Sequence, residues 1–352
     1  MSRFFSAKYA SLTPYTPGEQ PKDAQYIKLN TNESPFAPPQ SVVDASKAEA
    51  EKLHLYSDPE SARLTEKTAE MLGVKKTQVL MTNGSDEALN FAFMAFCDEA
   101  HGIVFPDITY GFYPVFAKLN GIPYETVALN ENFEVDYRDY IGIKKNIVIA
   151  NPNAPTGLAI PRAQIEEIVK SNPDNIVIID EAYVDFGGES CVPLIQKYDN
   201  ILITQTFSKS RSMAGARLGF AVGNEKLIAD LNTVKYSTNP YNVNRMTAAA
   251  GYAALCEEVW FTKNCQTIRE NREYASEGLR ALGFMVLPSK TNFIFAKSTA
   301  IGGKKLYERL KEKGILVRWF NVKRIEDFVR ITIGTKEQMQ ALIQAIEEII
   351  KE

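Results

Sequence analysis

The sequence predicts an α/β protein: a large domain on a mainly parallel, seven-stranded sheet, followed by a smaller α+β domain. Three observations predict it. Between Val79 and Val222, seven short apolar runs alternate with amphipathic helical stretches. Those runs are β-branched and nearly continuous, the pattern of strands buried on both faces of a parallel sheet. After a long stretch poor in helix breakers, short strand candidates and helices mix again, as in a second, smaller unit.

The elements follow in order. Residues 1–30, with Pro14, Pro17 and Pro21, read as an extended arm packing with the small domain. The large domain is placed at 31–265, with strands at 79–81, 103–105, 124–127, 147–150, 176–179, 201–204 and 219–222. A helix at 162–170 follows Pro161. Residues 245–282 read as one long helix bridging to the small domain at 266–352. There, strands are expected at 284–287, 292–296, 315–319 and 328–333, and an amphipathic helix at 336–351 closes the chain.

Composition narrows the function classes. The chain has 352 residues, 45% hydrophobic and 24% charged, which suits a globular protein of two domains. A formal charge of −3 gives no electrostatic pull toward nucleic acid or an anionic membrane. No apolar run is long enough to span a bilayer, and Met1-Ser2-Arg3-Phe4-Phe5 leads into polar residues rather than a signal-peptide core. A cytoplasmic protein is expected. Cys97, Cys191, Cys256 and Cys265 have no C-x-x-C spacing and are expected to be reduced. His54 and His101 lack a second ligand at metal-site spacing, so no metal site and no histidine-based hydrolase is expected. Acid–base chemistry falls to lysine, tyrosine or a carboxylate.

In open α/β sheets, ligands bind beyond the carboxyl ends of the strands, and the motifs of this chain fall there. Asn83-Gly84-Ser85-Asp86-Glu87 follows the first strand and opens a helix. A glycine-bearing turn feeding a helix N-terminus can cradle phosphate, and a plain N-cap by Ser85 or Asp86 accounts for the same residues. Tyr110, after the second strand, can stack on a planar ring or pack in the core. Asn151-Pro152-Asn153-Ala154-Pro155-Thr156-Gly157 forms a rigid turn whose polar side chains can face a ligand. Asp180-Glu181-Ala182-Tyr183 and Ser208-Lys209-Ser210 end two further strands, and Arg217 offers a guanidinium suited to phosphate. A lysine and an aspartate at the ends of buried strands are the two groups that pyridoxal phosphate requires. The amine joins its aldehyde, and the carboxylate keeps the ring nitrogen protonated. Gly302-Gly303-Lys304-Lys305 lacks the spacing and the Ser/Thr of a P-loop and reads as a loop before a helix.

This order of motifs resembles the fold-type-I pyridoxal-phosphate-dependent aminotransferases, and within them the histidinol-phosphate branch. The resemblance covers nearly the whole chain, including the segments from Leu29 to Pro35 and from Tyr56 to Pro59, Val317-Arg318 and Phe328-Val329-Arg330-Ile331. It implies that Lys209 carries the cofactor and shuttles the proton, that Asp180 pairs with the ring nitrogen, and that Tyr183 bonds the phenolic oxygen. Tyr110 is then the stacking residue, while Gly84, Ser85, Asp86, Ser208 and Arg217 surround the phosphate. Tyr56 reaches the phosphate of the neighbouring subunit, so a homodimer is implied. Arg330, with Arg318, Tyr15 and Asn32, receives the substrate. The family pattern has asparagine directly before Pro-Thr-Gly; here that position is Ala154, leaving Asn153 or Tyr183 alone to contact the phenolic oxygen. The implied reaction is transamination of L-histidinol phosphate with 2-oxoglutarate, in histidine biosynthesis. An aromatic amino-acid aminotransferase and a threonine-phosphate-decarboxylase-type lyase share these motifs. A non-enzymatic pyridoxal-phosphate regulator is disfavoured by the lack of a basic DNA-binding segment.

Overall fold

The computed structural model describes residues 2–10, 12–21 and 25–352. A short 3-10 turn at Ala7–Tyr9 is followed by residues 12–21, which carry no helix or strand, and β1 (Ile27–Lys28) pairs in parallel with β11 (Ile315–Leu316). The seven expected strands form one sheet: β2 (Val79–Thr82), β3 (Ile103–Pro106), β4 (Tyr124–Val127), β5 (Asn146–Ala150), β6 (Val177–Asp180), β7 (Ile201–Thr206) and β8 (Gly219–Gly223). Their order is β2-β8-β7-β6-β5-β3-β4, and only β8 runs antiparallel to its neighbours. The edge strand β4 departs from the expected double-sided burial, because it ends the sheet and its residues stay partly or fully exposed.

Alternation along the central strands divides the sheet's contacts between two faces. Ile147, Ile149, Val177 and Ile179 pack with α2 (Ala62–Leu72), α5 (Arg162–Ser171) and α7 (Arg245–Cys256). Val148, Ile178 and Leu202 pack with α3 (Ser85–Phe96), α4 (Tyr113–Asn120) and α6 (Glu225–Thr238). Each fully buried Val or Ile contributes about 1.5–3 kcal/mol, so the strand ends carrying the motifs sit on a rigid base. The helix α1 (Gln40–Ala50) packs along α7.

The expected long helix over 245–282 is two helices, broken at Glu257 (φ −98°, ψ 51°). The break lets the chain change partners. Ala250 and Ala254 of α7 join the core of the large sheet, while Cys265, Ile268 and Leu279 of α8 (Glu258–Ala281) join the second core. The second sheet is antiparallel, in the order β12 (Arg318–Trp319), β13 (Phe328–Thr332), β10 (Phe293–Ser298) and β9 (Phe284–Val286). The strand expected at 315–319 divides at Val317, with β11 serving β1 and β12 serving β13. The helices α9 (Gly303–Glu312) and α10 (Lys336–Lys351) cover this sheet. Thr335 and Gln338 cap α10 reciprocally, and Met339, Leu342 and Ile346 give it one buried stripe. Leu29 is buried in the same core, so the arm is tied to the smaller sheet. Among the described residues, no helix is long and apolar enough to cross a membrane.

Candidate active site

Asp180 is the last residue of β6 and is almost fully buried. Its Oδ2 accepts a hydrogen bond from the Tyr113 hydroxyl at 2.9 Å; its Oδ1 accepts from the Ala182 N–H and the Thr204 hydroxyl, each at 3.3 Å. Burial outweighs these bonds and pushes its carboxyl up to about 6. Lys209 lies three residues beyond β7 and lines the same crevice. Its Nζ donates one long bond, 3.4 Å, to the Thr31 carbonyl and lies 5.8 Å from the centre of the Tyr183 ring. Burial first, and Arg330 second, lower its ammonium to about 8. A lysine so tuned holds a sizeable neutral fraction near physiological pH, the form that attacks a carbonyl or takes a proton.

The inner end of the crevice is built for an anion. α3 has Gly84 as its N-cap with no side-chain cap, so neither Ser85 nor Asp86 caps it, and its first amides stay open to the crevice. Gly84 has φ +80°, and a Cβ there would lie 2.6 Å from Arg217 Nη2. A Cβ on Gly219 would meet the Ser85 nitrogen at 2.5 Å. Both glycines let backbone and guanidinium close on one point. Arg217, held at φ 52°, donates to Asp86 Oδ2 at 2.9 Å and to the Ser208 hydroxyl at 3.5 Å. Asp86 Oδ1 accepts from the Tyr110 hydroxyl at 2.8 Å, which fixes the ring at the crevice wall. A cavity of about 80 Å³ lies among Ser85, Asp180, Thr206, Ser208, Lys209 and Arg217. An amine, a buried carboxylate, an aromatic wall and an anion cradle around one space fit the residue requirements of pyridoxal phosphate.

Outward, the crevice widens into a cavity of about 520 Å³ reaching Tyr15, Arg318 and Arg330. The Arg330 guanidinium is buried between Phe293 and Phe320, 5.3 and 5.5 Å from the ring centres. Its Nη2 donates to the Asn30 carbonyl at 3.0 Å, and its Nε has no partner among the described residues. No carboxylate among the described residues pairs with it, and burial lowers its affinity for the proton. Arg318 donates to the Thr16 and Pro17 carbonyls at 3.0 and 3.1 Å. Asp107, the one carboxylate among the cavity's described lining residues, is paired with Arg324 at 3.0 Å. An anionic ligand is the natural counter-charge for this wall.

The structure thus gathers Gly84, Ser85, Asp86, Tyr110, Asp180, Tyr183, Ser208, Lys209, Arg217, Tyr15, Arg318 and Arg330 around one crevice. Asn32 lines it too, but its Nδ2 donates to the Tyr183 hydroxyl at 2.9 Å and its Oδ1 accepts from Thr332 at 3.0 Å. Its amide is committed to orienting Tyr183. Asn153 is not brought in. Its Nδ2 donates to the Ile108 carbonyl and Thr156 Oγ1, both at 3.0 Å, and its Oδ1 accepts from Thr109 at 2.8 Å. It holds the turn together and faces a separate cavity of about 450 Å³, while Ala154 lines the crevice. Tyr56 also lies outside, exposed and stacked on Tyr241. Sequence reasoning missed Tyr113, Thr204, Phe293 and Phe320. Tyr113 falls one helical turn after Tyr110, a spacing that placed it near the same strand end; the other three sit in apolar strands or loops with no local signal.

Residues 24–346 match the model of the family described as aminotransferase class I and II. The chain is 48% identical to a histidinol-phosphate aminotransferase of Brachyspira hyodysenteriae, over 100% of both chains. It is 47% identical to one of Acinetobacter baumannii, over 99% of this chain and 98% of that one. Among solved structures, it matches the histidinol-phosphate aminotransferase of Sinorhizobium meliloti in complex with pyridoxal-5'-phosphate. The TM-score is 0.91 at 23% identity, covering 100% of this chain and 98% of that one.

Proposed function

The chain belongs to the class I and II aminotransferases, and from that premise we propose that it transfers the amino group of L-histidinol phosphate to 2-oxoglutarate, giving imidazole acetol phosphate and glutamate in histidine biosynthesis. The observation that carries the reading is the pairing, in one crevice, of a lysine whose proton affinity burial lowers and a buried carboxylate with two arginines that, among the described residues, no carboxylate pairs with. The names of the relatives point to the same donor.

Pyridoxal phosphate, when bound, supplies an aldehyde that condenses with amines and a ring that takes up the electron pair of the broken C–H bond. Ser85, Asp86, Ser208 and Arg217 would hold its phosphate through backbone amides, a hydroxyl and a guanidinium. Asp180 would keep its ring nitrogen protonated, and Tyr183, oriented by Asn32, would bond its phenolic oxygen. Lys209 Nζ is the group that would join the aldehyde and, when free, would act as the base and acid that moves the proton of the donor's α-carbon. Arg330, Arg318 and Tyr15 hold the donor's phosphate, and in the second half-reaction Arg330 receives a carboxylate of the oxo acid. Aromatic and apolar side chains lining the cavity limit water there and strengthen each of these ionic contacts. We place the enzyme in the cytoplasm as a homodimer; exposed Leu53, Leu55, Tyr56 and Tyr241 suit a self-complementary contact.

The test is steady-state kinetics with pyridoxal phosphate and 2-oxoglutarate, following glutamate. Histidinol phosphate should give a higher kcat/KM than phenylalanine, and Lys209→Ala should slow turnover severely. A preference for phenylalanine would overturn the donor. Release of carbon dioxide from a phosphorylated amino acid, without glutamate, would overturn the reaction type.

A further inference from the structure

Asn32 sits in the left-handed region, at φ +56°, and is almost fully buried. Asparagine tolerates that backbone better than most residues, but the conformation still needs support from its surroundings. Thr332, the last residue of β13, supplies it at both ends. Its hydroxyl accepts from the Asn32 backbone N–H at 2.9 Å and donates to Asn32 Oδ1 at 3.0 Å. The Thr332 N–H donates to the Leu29 carbonyl at 2.9 Å, and Asn292 Nδ2 donates to the Asn32 carbonyl at 2.9 Å. Both side chains at this junction are buried, so each bond is made away from water.

This arrangement fixes which way the Asn32 amide faces. The Thr332 hydroxyl gives its one hydrogen to Oδ1, so the opposite end of the amide is the NH2, and Nδ2 donates to the Tyr183 hydroxyl at 2.9 Å. Burial raises the Tyr183 hydroxyl above its ordinary range, so it stays protonated. Among the described residues that hydroxyl donates to none, and its hydrogen is left for the occupant of the crevice that Tyr183 lines. An amide turned the other way would present Oδ1 and take that hydrogen itself. Ala154 lines the crevice without a polar side chain, and the Asn153 amide is committed to its own turn. We propose that Thr332 is a positioning residue: it locks the Asn32 amide so that Tyr183 offers its hydrogen to the phenolic oxygen of pyridoxal phosphate, the contact that Ala154 cannot make. This rests on the cofactor placement proposed above.

The absorbance of bound pyridoxal phosphate, titrated with pH in the absence of substrate, tests it. A hydrogen bond donated to the phenolic oxygen draws charge from the nitrogen that joins the cofactor to Lys209, so losing the bond raises the pH midpoint of the absorbance change. Tyr183→Phe should raise the midpoint by about one unit, and Thr332→Val by about half a unit or more. Thr332→Ser keeps the hydroxyl and should leave the midpoint in place. In a Tyr183→Phe background, Thr332→Val should add nothing. Asn32→Gly accepts the left-handed backbone without strain and should shift the midpoint upward as well, which decides the matter if Thr332→Val does not fold. An unmoved midpoint in Thr332→Val or Asn32→Gly while Tyr183→Phe shifts, or a Thr332→Val shift that persists without the Tyr183 hydroxyl, overturns the role of Thr332 alone. A Tyr183→Phe protein with the native midpoint overturns the cofactor placement and this proposal with it.

Discussion

Replacing Tyr113 by phenylalanine removes one hydroxyl from beneath the crevice and leaves its ring in place. Tyr113 is fully buried, and its hydroxyl makes the shortest bond to Asp180, at 2.9 Å. A hydrogen bond to a buried charged group contributes about 1.5–3 kcal/mol, and 1.36 kcal/mol corresponds to roughly one pKa unit. The Asp180 carboxyl, raised by burial from 3.8 to about 6, should therefore rise by roughly one to two units more. The consequence for stability has a definite sign. Between pH 3.8 and about 6 the folded protein binds the Asp180 proton and the unfolded chain does not. Stability from this group is thus full below the unfolded value and lost as pH rises through the folded one. The loss is about 3 kcal/mol in the native protein and roughly 1.5–3 kcal/mol greater in Tyr113→Phe, continuing to about pH 8.

Denaturant unfolding of the cofactor-free protein between pH 5 and 9 measures this, in a cycle of wild type, Tyr113→Phe, Asp180→Asn and the double variant. The cycle isolates the pair from other groups in the same range, notably Glu181, which burial raises to about 7. Coupling should be small at pH 5 and grow to roughly 1.5–3 kcal/mol by pH 9. A coupling that is flat across the range, or a Tyr113→Phe protein as stable as wild type at pH 9, would refute the reasoning.

Three further outcomes are expected. Arg330→Met should lower kcat/KM for the phosphorylated donor by at least about 100-fold, while leaving the Tm of the cofactor-free protein no lower, since an unpaired buried guanidinium is replaced by an apolar chain; a marked fall in Tm contradicts this. Reductive methylation of the cofactor-free protein, followed residue by residue by mass spectrometry, should show Lys209 reaching half-maximal rate near pH 8; a profile in the ordinary lysine range, near about 10.4, would discard the lowered value. Asn153→Ala should destabilise the fold by about 2–4 kcal/mol through its lost bonds to Ile108, Thr109 and Thr156, with cofactor affinity unchanged. Weaker cofactor binding at intact stability would return Asn153 to the crevice.

The large sheet was legible because its central strands obey a local rule: apolar, largely β-branched runs, buried on both faces, separated by turn residues. Lys209, Asp180 and Arg217 were legible for a related reason, since each sits at the end of such a run, where an α/β sheet exposes side chains. The errors share a different cause. Glu257 breaks a helix without any local breaker, because α7 and α8 belong to two cores, and that is a tertiary decision. Val317 divides a strand because two sheets compete for it. Asn153 sits one residue from the family's asparagine, and in a tight turn one residue is enough to reverse the face it presents. Tyr113 and Thr204 act on Asp180 from 67 and 24 residues away, and no local pattern reports such a distance.

The crevice is electrostatically unfinished on its own terms. Asp180 is buried with only neutral donors around it, so its proton is held too tightly for a free carboxylate. Lys209 and Arg330 are both pressed toward losing protons by burial, and neighbouring arginines, Arg330 for Lys209 and Arg318 for Arg330, add to it. The fold keeps these groups apart, on strand ends anchored by two apolar faces, so they cannot cancel one another as a salt bridge. On the function proposed above, what satisfies them arrives from outside: a ring cation for Asp180, an aldehyde for Lys209 and an anion for Arg330. Each such arrival relieves a cost already present in the folded protein, and the relief appears as binding. Specificity follows from the same separation. A ligand carrying an amine at one end and a dianion at the other answers Lys209 and the arginine wall together, whereas a neutral aromatic side chain leaves Arg318 and Arg330 without a counter-charge.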